Sequence, residues 1–162
     1  MYVLQESSKS ETIHSNHKVE IGAWGCNADS RNLNVFPGFD PSKTTIVSAE
    51  LYVKAFCDWT GVVAEYLIND NQAVELTWSG LDQVGTWREA RVDVETLIRF
   101  GAVNTFKAQA CRGSLPPPFS IRVYFTAILT VTYTGEDPGP IEPPPEVPEW
   151  LEKYAPYIVL GA

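Results

Sequence analysis

Basic residues are scarce in this chain. It has 12 lysines and arginines against 20 acidic residues among 162, a net charge of −8. Phosphate recognition needs a concentrated positive field, so the balance argues against a nucleic-acid partner. Histidine is scarcer still: His14 and His17 are the only two. Their spacing lacks a third ligand, and no metal is expected. No nucleophile elbow, phosphate-binding loop or dinucleotide fingerprint is present. The carboxylates Asp58, Asp70, Asp82, Asp93, Glu75 and Glu89 scatter over turns and solvent faces. A glycosidase would need two acids across one cleft. No catalytic residue, cofactor or enzymatic activity is therefore expected. The three cysteines, Cys26, Cys57 and Cys111, contain no C-x-x-C pair. Either Cys57 pairs with Cys111 across neighbouring strands, leaving Cys26 over, or all three are small buried thiols; the second is favoured. The N-terminus has neither a basic start nor an apolar run, so no secretory signal is read there.

What the chain has is aromatic and β-branched residues in alternation. Aromatics make up 12%, with five tryptophans, a composition that favours sheet over helix. Tyr2–Glu6 reads as an edge strand, "SSKSE" as a polar turn, and Thr12–Trp24 as a half-buried strand with Val19, Ile21 and Ala23 on one face. Gly25–Lys43, rich in Asn, Asp, Gly and Pro, reads as a long loop. Five further strands are expected over Thr44–Cys57, Val62–Asp70, Gln72–Trp78, Trp87–Ile98 and Val103–Cys111, and a long last one over Ser120–Gly135. In the first of these Val47, Ala49, Leu51, Val53 and Ala55 share a face. The pattern predicts an all-β fold: an antiparallel two-sheet β-sandwich of jelly-roll type.

The chain changes character after Tyr133. Residues 135–148 carry six prolines and four acids, the composition of an extended, semi-rigid spacer. Residues 149–162 end in an apolar run. The organisation expected is a sandwich over 1–134, a proline-rich acidic spacer over 135–148, and an apolar C-terminal tether over 149–162. The tether residues are Trp150, Leu151, Tyr154, Tyr157, Ile158, Val159 and Leu160. Their aromatics suit a membrane interface or a protein partner. The run Tyr154–Ala162 is too short to span a bilayer alone.

"VDVETLIRFGAVN" resembles a recurrent piece of galactose-binding-like β-sandwiches, such as the sugar-binding modules attached to glycoside hydrolases. Val92, Asp93, Val94, Leu97, Ile98, Gly101 and Asn104 match it, with one extra residue before the asparagine. "AEYLINDNQ" is similar to the hairpin of the same folds through Ile68, Asn69 and Asp70, and "VSAELYVKA" to the strand before it. The resemblance covers Val47–Ala110 and implies the fold. Locally, Gly101 supplies backbone freedom at a corner, and Asn104 bonds the neighbouring backbone. Neither role needs a ligand.

Two functions follow. The first is a non-catalytic structural or assembly protein, a homo-oligomeric virion component (capsid-associated, penton or spike) or cell-surface protein. Its tail would be fixed to a membrane or a protein shell. The alternative is a carbohydrate-binding module. Its ligand residues would be the loop-flanking tryptophans Trp59, Trp78 and Trp87, on which sugars stack, with Asn69, Asp70 and Asp82 bonding the hydroxyls. Those same tryptophans can equally cap the core.

Overall fold

Alternating side chains build the interior. The computed structural model describes residues 4–22, 25–113 and 120–145. Eight strands are β1 (Ser7–Ile21), β2 (Gly25–Val35), β3 (Thr44–Cys57), β4 (Val62–Ile68), β5 (Asn71–Trp78), β6 (Thr86–Asp93), β7 (Ala102–Arg112) and β8 (Ile121–Gly135), followed by a two-residue β9 (Ile141–Glu142). One sheet has the order β1-β8-β3-β6, the other β5-β4-β7-β2-β9, and every pairing is antiparallel. Apart from the β4–β5 hairpin, successive strands from β1 to β8 switch sheets. This is the wrapped connectivity of a jelly roll. The two-sheet sandwich is thus the architecture that the sequence and its resemblance implied.

The core lies between the sheets. Leu51, Val53, Ala55 and Cys57 of β3 meet Val62, Ala64, Tyr66 and Ile68 of β4, Phe106, Ala108 and Ala110 of β7, and the inward row of β8 from Ile121 to Val131. The strand Thr44–Cys57 keeps its expected bounds, with one departure. A register shift between Ile46 and Ser48 opposite β8 turns Val47 outward, leaving it 42% exposed.

Two segments read as turn or loop are strand. "SSKSE" opens β1, where Ser8 and Ser10 bond to Thr132 and Thr130 of β8 through their hydroxyls, at 3.0 and 2.9 Å. The first half of the expected long loop is β2. Its polar sequence buries only Leu33 and Val35, and it is held by its backbone ladder to β7. Both segments are stabilised by pairing rather than by hydrophobic alternation.

The cysteine expectation is corrected. Cys26 of β2 and Cys111 of β7 stand directly opposite each other and form a disulfide, while Cys57 is a buried free thiol. Cys57 does not reach Cys111, because its side chain points into the core from the other sheet. Burial pushes its thiol up to about 11.

The stretch expected as a spacer is bound down where it begins. The Glu136 amide donates to the Lys43 carbonyl, Pro140 accepts from the Phe36 amide, and β9 pairs with Asn34 and Val35 of β2. Lys9 and Asp137 form an ion pair at 2.6 Å. Gly135 needs its glycine: at φ +91, a Cβ there would overlap the Lys43 carbonyl. The tether residues Trp150, Leu151, Tyr154, Tyr157, Ile158, Val159 and Leu160 lie outside the described residues. Among the described residues no helix is long and apolar enough to cross a membrane.

Candidate functional site

The residues expected to bind sugar do not assemble into one site. Trp59 lies in the β3–β4 connection, and Trp78, Asp82 and Trp87 lie around the β5–β6 connection, at one end of the sandwich. Asn69 and Asp70 form the turn at the far end of β4. The seven residues of β4 put about 23 Å between the two groups.

Trp78 is corrected from ligand platform to core. It is fully buried, and its indole N–H donates to the Thr86 carbonyl at 3.1 Å. The signal was present in its strand, where Trp78 shares parity with the buried Val74 and Leu76. Trp59 is half-buried and packs against the core. Asp82 is exposed on a short 3-10 turn. Asn69 and Asp70, at φ 51 and 66, are the two central residues of the hairpin turn. Asn69 is spent on structure. Its amide donates to the Leu97 carbonyl and to Asn104, and its side-chain oxygen accepts from the Thr105 amide. Asp70 is exposed and pairs with Lys107 at 3.6 Å. Asn104 is fully buried and closes the Arg99–Ala102 corner, accepting from the Arg99 amide and donating to the carbonyls of Arg99 and Ala102. Gly101 turns that corner at φ 86.

Trp87 is different. It is 51% exposed on the outer face of the four-stranded sheet, on the edge strand β6. Phe56 of β3 is its register partner, and Tyr124 of β8 is Phe56's partner on the other side. The ring centroids step across the sheet at 5.3 Å and 6.3 Å. With Asn16 of β1 the three rings line a shallow depression of 340 Å³. Asn16 stands there because β1 carries two register shifts around His14, and it takes φ 45. Its amide donates to the Thr126 hydroxyl at 3.0 Å. The next rows hold Lys54 and Glu89, then Tyr52 and Arg91. Tyr52 donates to Glu89 at 2.6 Å, and the Arg91 guanidinium lies 4.4 Å from the Tyr52 ring centre. The bond to the Glu89 carboxylate pushes the Tyr52 hydroxyl above its usual pKa.

Phe56 and Tyr124 were missed as site residues, although each carries a readable signal. Phe56 shares parity with Glu50 and Lys54, and Tyr124 with Arg122 and Thr126. They are aromatics on the solvent side of amphipathic strands. The five-stranded sheet has nothing comparable. The aromatics of its strands, Tyr66, Trp78 and Phe106, are all fully buried.

Two other features compete for attention. A cleft of 570 Å³ at the opposite end of β3 is lined by Phe39, Ile46, Phe100 and neighbours. Its rings are engaged with one another and with buried Phe36, at centroid distances of 5.8 and 6.1 Å, and extend the core. The second is a polar cluster between β1 and β2. His14, buried by the first shift in β1, faces the Tyr66 hydroxyl at 2.7 Å through Nδ1 and Asp29 at 2.8 Å through Nε2. His17 approaches the other Asp29 oxygen at 3.5 Å. Burial holds His14 below its ordinary pKa, against the pull of Asp29. A neutral ring fits both partners: Nε2–H donates to the carboxylate and Nδ1 accepts from the tyrosine. Both ring nitrogens of His14 are thus committed within the protein. No cluster of three metal-ligating side chains occurs among the described residues.

The chain matches no known family profile and no curated protein. Several solved structures resemble it. One is the structure of infectious bursal disease virus, Gt strain, at 10% identity and TM-score 0.46; the match covers 96% of this chain and 47% of that one. Another is a family 35 carbohydrate-binding module from an environmental isolate, at 18% identity and TM-score 0.36, covering 74% of this chain and 83% of the module. A third is the CBM36-1 domain of a multidomain xylanase from the hindgut metagenome of Trinervitermes trinervoides. It is 5% identical with TM-score 0.43, covering 75% and 96% respectively. The chain spans about half the length of the first. Likenesses this distant do not separate one function from another.

Proposed function

We propose that the sandwich is a non-catalytic binding domain whose ligand is a carbohydrate, held on the outer face of the four-stranded sheet. The observation that carries this reading is the row Trp87–Phe56–Tyr124, aromatic side chains on the solvent side of three adjacent strands. An exposed indole costs hydration unless something covers it. Sugar rings offer apolar C–H faces for such a surface and hydroxyls for the polar groups beside it, here Asn16, Thr126 and Glu89. The Cys26–Cys111 disulfide suits an oxidising, extracellular setting, where glycans are met.

The test is glycan binding by the native protein and by Trp87→Ala. Side-chain loss at this half-exposed edge position should leave the fold intact by circular dichroism and weaken binding at least about tenfold. Undiminished binding would remove this reading.

An assembly role remains the second proposal, on the apolar sequence of residues 149–162. In it the domain is one copy in a homo-oligomeric virion or cell-surface structure, fastened through its tail. Deleting residues 149–162 should then abolish assembly or membrane association while the sandwich stays folded. The mass of the native assembly is the direct readout.

A further inference from the structure

The charges on the aromatic face are not all matched. Arg91 pairs with Glu50 at 3.1 Å, Lys18 with Glu20 at 3.7 Å, and Arg122 with Asp58 at 3.4 Å. Lys54 has no carboxylate within ion-pair distance among the described residues, although Glu89 is its register partner on β6. The reason is local. Glu89 is drawn to the Tyr52 hydroxyl at 2.6 Å, while the Lys54 ammonium lies 4.6 Å from the Trp87 ring centre. A cation–π contact of this kind holds the ammonium in place without neutralising it, and leaves the N–H donors that face away from the ring for an anion. The depression beside it is lined by Trp87, Phe56, Tyr124 and Asn16, so Lys54 borders that space rather than filling it.

We propose that this face selects glycans bearing an acidic sugar, with Lys54 as the group that recognises the anionic substituent. The inference rests on the carbohydrate reading above and adds the class of sugar. An anionic group at the rim of the depression would complete the charge that Glu89 leaves unmatched. The chain's net charge of −8 sets a limit. A densely charged polymer is repelled, whereas one carboxylate or sulfate on an otherwise neutral glycan meets Lys54 within a Debye length of about 8 Å at physiological salt.

The experiment compares matched glycans on one array: each neutral glycan beside forms carrying one uronic acid, one sialic acid or one sulfate. The carboxylate and sulfate arms identify the anion. The native protein should bind the acidic member roughly tenfold more tightly than its neutral parent, as a charge-assisted hydrogen bond allows. The ratio should shrink as salt rises. Lys54→Met should bring the ratio to about one while neutral binding persists, and Lys54→Arg should restore it. An unchanged ratio in Lys54→Met, or a native preference for the neutral members, overturns the inference and leaves the carbohydrate site standing. Binding that survives Trp87→Ala overturns the site itself. An array on which the native protein binds nothing removes both.

Discussion

The two sheets turn different faces to solvent. The five-stranded sheet presents Ser30, Asn32, Thr105, Lys107, Gln109 and Glu65, and its aromatics are spent on the core. The four-stranded sheet presents Trp87, Phe56, Tyr124 and Tyr52 on its outer side while burying an equally regular inner row. One sheet closes its half of the core without outward aromatics, so closing the core does not require them. Trp78 and Trp87 make the contrast within nine positions of sequence: one is 0% exposed, the other 51%.

The largest effect should come from the buried member of that pair. Trp78→Ala removes a fully enclosed indole and should cost about 3–5 kcal/mol in denaturant unfolding. Per folded molecule, it should leave glycan affinity unchanged. A stability loss near zero would mean that the inside–outside contrast is misdrawn. Next is the disulfide on the five-stranded sheet, which closes a separation of 85 residues. Replacing both cysteines, Cys26→Ser with Cys111→Ser, should lower stability by about 2–4 kcal/mol. Binding should not change, because the crosslink lies on the other sheet.

A smaller effect concerns pH. His14 titrates below its ordinary 6.5 in the folded state because burial disfavours the cation. Between the folded and unfolded values the unfolded chain binds more protons. The contribution of neutral His14 is therefore complete above 6.5 and declines as pH falls through the lowered folded value. His17, Asp29, Tyr66 and Arg31 face the same ring. His14→Gln should be less stable at neutral pH but show a shallower fall on acidification; an unaltered slope would assign the acid sensitivity elsewhere. The smallest effect belongs to the far hairpin. Asp70→Asn changes an exposed carboxylate with one long ion pair and should shift stability by less than about 0.5 kcal/mol. Any loss of glycan binding in this variant would move the site to the other end of the molecule.

The strands with strong alternation were legible because one face of each is buried. Thr44–Cys57 and the hairpin turn at Asn69-Asp70 are examples. β2 was not legible. Its sequence is polar along most of its length, and what makes it a strand is the backbone of β7 beside it. The shifts in β1 were equally hidden. They put Ile13 and His14, consecutive residues, both inside, which no period of two foretells. The candidate site was half legible. Trp87 could be named, and the parity of Phe56 and Tyr124 could be read, but their adjacency could not.

By itself the sequence determined the class of fold and the faces of its main strands, because side-chain period and turn chemistry act over a few residues. It also determined the absence of familiar catalytic motifs, since those are local spellings. Only the tertiary structure decided which strands lie side by side. That choice joins Cys26 to Cys111, closes the histidine network across two sheets, and sets three rings from three separate strands in one row. Each of these depends on backbone pairing between segments distant in the chain, and local residue preferences carry no information about that pairing.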